Sequence, residues 1–225
     1  MCGRFTRTSQ RQTIGDELGV TKFVTVDLHP RYNIAPSQDI EAVVRAGDVL
    51  RLGPMRWGFV APSAAASPTV SAPAPINARA EAIATSPLFR DAFHRRRCLV
   101  VADGFYEWRV EGRRKTPYFI YLRSQRPFGF AAIWSPGDAA DGKRLATCAI
   151  ITCPPNTLVA SIHNRMPVIL PRGARQRWLD PYAADEELRA LLVPLPADDM
   201  DAHAVSTLVN SPRNDVPECV EGIDE

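Results

Sequence analysis

Cys2 directly follows Met1 in the opening Met-Cys-Gly-Arg-Phe-Thr, so loss of the methionine leaves a 1,2-aminothiol at the start of the chain. An amine and a thiol placed this way condense with an aldehyde to an imine, which the sulfur then closes to a saturated thiazolidine ring. The expected substrate is therefore a carbonyl compound. Near neutral pH an α-amine with a pKa of about 8 and a thiol near about 8.5 both keep a nucleophilic fraction, whereas a lysine near about 10.4 does not. Position alone leaves a competing reading, the buried thiol of an N-terminal strand, which is the commoner fate of a cysteine.

Three further residues have types suited to moving or holding protons. Glu107 stands between aromatic residues in Gly104-Phe105-Tyr106-Glu107-Trp108. Apolar surroundings raise a carboxyl pKa and suit it to general acid/base work; taken alone, the residue also fits a solvated strand glutamate. His163 precedes Asn164-Arg165-Met166-Pro167 at an expected helix-to-strand corner and titrates near working pH. On its own it is equally a catalyst or a surface imidazole, and no motif surrounds His29, His94 or His203. Asn77 can donate and accept hydrogen bonds without titrating, which suits holding the Cys2 amine or a sugar oxygen, but it also suits a turn or helix cap.

Six segments occur in order: Met-Cys-Gly-Arg-Phe at 1–5, Arg-Tyr-Asn-Ile-Ala-Pro at 31–36, Trp-Gly-Phe at 57–59, Ile-Asn-Ala-Arg-Ala-Glu at 76–81, Ala-Asp-Gly-Phe-Tyr-Glu-Trp at 102–108 and His-Asn-Arg-Met-Pro at 163–167. Together they resemble the SRAP (SOS-response-associated peptidase) family, whose members crosslink themselves to abasic sites in single-stranded DNA. The resemblance implies a single SRAP-type domain over residues 2–217 with a tail at 218–225. It also implies mainly antiparallel twisted sheets around a barrel-like core flanked by short α-helices. It assigns catalysis to Cys2, Asn77, Glu107 and His163, with Glu107 assisting sugar-ring opening and protonation of the intermediate. Arg4, Arg79 and Arg165 become a phosphate track, because a guanidinium fork matches a phosphate, and Asn33 and Thr152 become DNA contacts or pocket braces. The implied partner is single-stranded DNA containing abasic sites, bound by a monomer without cofactor, metal or membrane. In one respect the chain departs from its relatives: where they carry a tryptophan soon after Trp-Gly that wedges against a duplex end, residues 61–68 hold no aromatic.

The elements that must carry these residues read as an α+β chain. Apolar, β-type runs cover 98–102, 106–110, 118–122, 128–133, 146–152 and 168–170, with 40–44 and 49–52 flanking Ala46-Gly47-Asp48 as a hairpin. Helical segments are expected at 9–18, at 87–95 with Ser86 as N-cap, and at 156–162, 174–179 and 185–192. Residues 61–75 are rich in Ala, Ser and Pro and read as a loop inside one domain rather than a linker. The 225 residues are 45% hydrophobic, ample for one large core, while a net charge of +2 requires any DNA contact to come from a local cluster of cations. Arg95-Arg96-Arg97 is the most visible such cluster, but at a helix end it also answers the helix dipole. Trp57 and Trp108 can stack on bases, although core packing is the usual role.

Five cysteines, with no apolar leader and no membrane-length apolar run, lead to the expectation of a reduced cytoplasmic protein, associated with the nucleoid when crosslinked. Cys148 and Cys153 fall on opposite faces of one expected strand, which argues against a shared metal; Cys98 and Cys219 are expected to be inert. Two other function classes remain. One is a cysteine peptidase with Cys2 as nucleophile and His163 as base. The other is a non-covalent single-strand binder that treats intact and abasic strands alike.

Overall fold

The computed structural model describes residues 2–24, 27–62, 74–137 and 145–223, so most of the loop expected at 61–75, including the stretch without an aromatic residue, lies outside the described residues. In chain order the strands are β1 (Phe5–Arg7), β2 (Lys22–Phe23), β3 (Arg31–Ile34), β4 (Asp39–Ala46), β5 (Val49–Trp57), β6 (Asn77–Arg79) and β7 (Arg97–Ala102). They continue with β8 (Gly104–Glu111), β9 (Arg114–Leu122), β10 (Phe128–Ser135), β11 (Thr147–Cys153), β12 (Met166–Pro167), β13 (Ile169–Leu170) and β14 (Met200–Ala204). The helices are α1 (Arg11–Leu18), α2 (Arg90–Arg95), α3 (Thr157–Ala160), α4 (Arg172–Leu179) and α5 (Asp185–Ala190).

Five of these strands close into a ring. β11, β10, β7, β4 and β5 are neighbours in that order, and a parallel pairing of β5 with β11, Arg56 opposite Thr147 and Trp57 opposite Cys148, joins the ends. This is the barrel-like core expected of an α+β chain. β7, β10 and β11 are buried on both faces along nearly their whole length, which is why they read as continuous apolar runs rather than alternating ones. The second sheet, ordered β14-β9-β8-β1-β3, is antiparallel throughout. It packs against the barrel through edge-to-face rings: Phe5 lies 5.1 Å from Trp57 and 5.8 Å from Phe130, and Phe105 lies 6.1 Å from Phe130. Trp57 is thus a core residue, wholly buried, with its indole N–H donated to the Ile76 carbonyl.

Several local expectations shift. The helix expected from Ser9 is capped at Gln10, because the Ser9 hydroxyl is committed to the Asp103 carboxylate. The segment expected to be helical from 87 becomes α2 only at Arg90, with Phe89 rather than Ser86 at its N-cap; Ser86 closes a turn by accepting from the Arg90 amide. Asn156 caps α3, accepting from the Val159 amide, and the run expected at 168–170 becomes β13 at Ile169–Leu170, with the short β12 just before it at Met166–Pro167. The tail expected from 218 is attached as far as Ile223, whose amide donates to the Ala204 carbonyl. Gly104 is required where β8 meets β9, since a Cβ there would meet the Phe119 ring at 2.3 Å.

The two sheets are also joined by a buried charge pair. Arg7, fully buried on β1, donates to both oxygens of Glu41 on β4 at 3.2 Å and to the carbonyls of Leu28 and His29. Replacing Arg7 with alanine leaves the Glu41 carboxylate buried and unpaired. The expected cost is about 3–5 kcal/mol of unfolding free energy, read as a lowered midpoint in urea or thermal unfolding.

Candidate functional site

β1 runs between β3 and β8, and its backbone pairing with β8 ends where the Tyr106 amide donates to the Arg4 carbonyl. Cys2 therefore lies just beyond the strand and is wholly buried. Asn77 reaches it from an unrelated part of the chain. β6 lies parallel to β11, with Asn77 opposite Ile150, and the Asn77 amide nitrogen donates to the Cys2 carbonyl at 2.9 Å. The other end of that amide, Oδ1, is buried with no hydrogen-bond partner among the described residues.

Glu107 occupies the middle of β8, opposite Tyr118 on β9, and is 2% exposed. His163 follows α3, whose last turn holds it through a bond from the His163 amide to the Val159 carbonyl. Its Nδ1 stands 3.8 Å from Glu107 Oε1. The same nitrogen is 3.1 Å from both the amide and the carbonyl of Arg165. A neutral ring with its proton on Nε2 accepts from that amide; a protonated ring donates to the carbonyl.

Burial dominates the proton chemistry. It pushes the Glu107 carboxyl up to about 7, against the opposing pull of the N-terminal amine and, more weakly, of the Lys115 charge. It pushes the Cys2 thiol far above the ordinary thiol range, and the Glu107 charge adds to that rise. It lowers His163 below its usual value, partly offset by the Arg165 backbone bond. Near neutral pH the site therefore combines a protonated thiol, a largely neutral imidazole and a carboxyl divided between its acid and base forms, so protons can move in either direction.

The five residues expected to meet DNA are not equivalent. Asn33 is 1% exposed: its Oδ1 accepts from Arg4, and its amide nitrogen lies 3.2, 2.9 and 2.7 Å from the carbonyls of Val209, Ser211 and Asn214. It latches the C-terminal segment onto β3 and has no free face for a polyanion. Thr152 is fully buried, and its hydroxyl accepts from Arg165. Arg165 itself forks onto the Glu81 carboxylate and donates to the Thr152 carbonyl. Arg4 donates inward to Asn33 and the Val209 carbonyl, with its guanidinium 5.9 Å from the Trp108 ring centre. Arg79 is exposed and carries no ion pair among the described residues. Within the Arg95–97 run, Arg97 is buried against the carbonyls of Phe93, His94, Trp178 and Asp180, and both neighbours pair with Asp91.

Lys115 and Asn210 lie beside the site but carried no signal in the sequence, since each comes near it only through pairing across the fold, whereas Glu81 ends the 76–81 segment without having been singled out. A cavity of about 400 Å³ opens beside Cys2, lined by Gly3, Arg4, Trp108, Lys115 and Asn210. Lys115 Nζ lies 5.4 Å over the Trp108 ring, whose indole N–H donates to Asn210. A larger cleft, about 780 Å³, lies beside α4 and holds none of the four candidate catalytic residues. Among the described residues no three His, Cys, Asp or Glu side chains converge to hold a metal, and no helix is long and apolar enough to cross a membrane.

Comparison with known proteins gives a consistent picture. A family model described as SOS response associated peptidase (SRAP) matches residues 1–212. The chain is 42% identical over 224 residues to the abasic site processing protein YoqW of Bacillus subtilis (strain 168), covering 98% of this chain and 99% of that one. It is 31% identical over 236 residues to the abasic site processing protein YedK of Escherichia coli (strain K12), covering 99% and 100%. A crystal structure of a protein from Bacteroides thetaiotaomicron superposes with a TM-score of 0.87 at 26% identity, over 99% of this chain and 100% of the other.

The raised Glu107 pKa has a stability consequence with a definite sign. Between the unfolded value, near about 4.3, and about 7, the folded state binds more protons at Glu107 than the unfolded state. This contribution to stability is therefore full at the acid end and is lost as pH rises through about 7. Glu107→Gln, which keeps the shape and removes the charge, is expected to raise the thermal midpoint relative to the parent at pH 8 and to change it little at pH 5.

Proposed function

The chain belongs to the SOS response associated peptidase (SRAP) family, and from that membership we propose that it captures the aldehyde of an abasic site in single-stranded DNA as a thiazolidine on Cys2, after loss of Met1. The names of the relatives supply the substrate class. The observation that carries the chemistry is the meeting, beside the start of the chain, of a carboxyl tuned to about 7 with a buried thiol.

Opening of the abasic sugar moves a proton from the C1 hydroxyl to the ring oxygen, and Glu107 takes the first proton and returns one to the oxygen. The Cys2 α-amine then adds to the aldehyde carbon, and its two protons leave with the carbonyl oxygen as water to give an imine, the neutral His163 taking a proton from the nitrogen and, as imidazolium, returning it to the departing hydroxyl. Finally the thiol adds across the C=N bond: a carbon–sulfur bond forms, the thiol proton passes through Glu107 to the nitrogen, and the net loss is one water. Closing the ring removes the imine that would otherwise act as an electron sink for β-elimination, so the strand is protected. Asn77 positions this chemistry: one end of its amide holds the Cys2 carbonyl, and its free Oδ1 accepts from the α-amine.

Burial also bears on the alternative of a cysteine peptidase. A thiolate–imidazolium pair needs a lowered thiol pKa and a raised histidine pKa, whereas here both shifts run the other way. The four residues come from one chain, which supports action as a monomer. The five cysteines are all free, which suits a reducing compartment such as the cytoplasm.

Mass spectrometry of the protein mixed with abasic single-stranded DNA tests the reading. One denaturant-resistant adduct per lesion is expected, lost in Cys2→Ala and blocked when Met1 is retained. An undiminished stable adduct with Cys2→Ala overturns the proposal. Glu107→Gln is expected to slow adduct formation by about 10²-fold, the usual scale of a general acid–base contribution, while leaving non-covalent binding near its original strength.

A further inference from the structure

Two of the three arginines that the family motifs bring to the site are largely spent inside the protein. Arg4 is held by Asn33 and the Val209 carbonyl, and Arg165 by Glu81 and Thr152. Besides Arg79, exposed positive charge near the site lies on the hairpin formed by β8 and β9. β8 leaves the site at Glu107 and runs to Glu111, turns at Gly112 in the left-handed region (φ 60°) and Arg113, and returns through Arg114 and Lys115. Arg113, Arg114 and Lys115 are exposed, and none forms an ion pair among the described residues. The one acid at the tip, Glu111, is taken by Arg109 at 3.1 Å.

The hairpin is continuous with the site. Lys115 and Trp108 line the cavity next to Cys2. By register Val110 opposes Lys115 and Trp108 opposes Pro117, so Trp108, Val110 and Lys115 share one face of the ribbon. Val110 is 65% exposed. A face combining an indole, an exposed apolar side chain and a cation, with two more cations at its tip, matches what an unpaired nucleic-acid strand presents: bases to stack or pack, and a phosphate at every step. From Glu107 to the tip the ribbon extends about 17 Å at the usual rise per residue, so the tip meets nucleotides away from the lesion.

We propose that the β8–β9 hairpin is a phosphate-binding arm, on which Arg113 and Arg114 hold the backbone of the single strand several nucleotides from the abasic site while Lys115 holds it at the cavity mouth. This rests on the single-strand reading above, but the arm governs the reach of binding and not the chemistry at Cys2.

The test compares strand lengths. The double variant Arg113→Gln/Arg114→Gln alters only the exposed tip, and an unchanged thermal midpoint checks that it folds. Equilibrium binding to an abasic strand of roughly 15 nucleotides, the upper end of a single-strand site, is measured against salt in the Cys2→Ala background. Adduct yield on an abasic trinucleotide is measured with Cys2 intact. Loss of two phosphate contacts should make the slope of log affinity against log salt shallower by about 1.4, at about 0.7 per contact, with no change in trinucleotide yield. An unchanged slope on the long strand overturns the arm, as does an equal loss on both substrates. Failure of the parent protein to form any trinucleotide adduct overturns the Cys2 reading instead, and the slope comparison still decides the arm.

Discussion

Phe5 is the residue on which the rest depends. It is fully buried, its ring edge-on to Trp57 and Phe130 of the barrel, and its backbone is paired with Phe105 on one side and Ile34 on the other. Burial of one phenylalanine contributes about 1.5–3 kcal/mol, enough to hold a segment that would otherwise fray, as chain ends commonly do. Because β1 is pinned three residues after Cys2, a reactive group at the start of the chain can lie at a defined point in the interior. The Arg7–Glu41 pair fixes the other end of the same three-residue strand.

A site built at such a point is short of water, and that shortage sets its chemistry. The same desolvation acts in opposite senses on acids and bases, raising Glu107 and Cys2 and lowering His163. Each group is moved toward its neutral form, and only Glu107 comes to rest near the ambient pH. Lys115, across the hairpin, is the weakest of the charges that oppose that rise. A cation on the rim thus serves the buried acid as well as the surface.

Arginine is used here chiefly as a clamp. Arg97 gathers four backbone carbonyls, Arg175 binds those of Leu170 and Glu17, and Arg4 binds Asn33 and Val209. A guanidinium has five donors and can satisfy carbonyls left unpaired at the ends of helices and loops, where a buried acceptor without a partner is costly. Counting arginines therefore says little about binding, and a chain of net charge +2 can still present local positive charge wherever its cations are not so engaged, as at Arg79 and the β8–β9 hairpin.

Local chemistry was legible in the sequence: a cysteine directly after Met1, a carboxyl set among aromatics at Glu107, and the continuous apolar runs that became β7, β10 and β11. These depend on residue type and near neighbours, which a linear reading contains. The roles of Asn33 and Thr152 were not legible, because whether a polar side chain faces solvent or a row of carbonyls is decided by segments more than 100 residues away in the one case and by packing against β6 and Arg165 in the other. Nor was the Asn77 bond to the Cys2 carbonyl, which joins residues 75 apart and exists only because β6 lies parallel to β11 beside the first strand. The sequence by itself determined which groups could react and which runs must be buried. The tertiary structure alone decided which of them meet and which cations remain free, because burial and partnership are properties of contacts between distant strands.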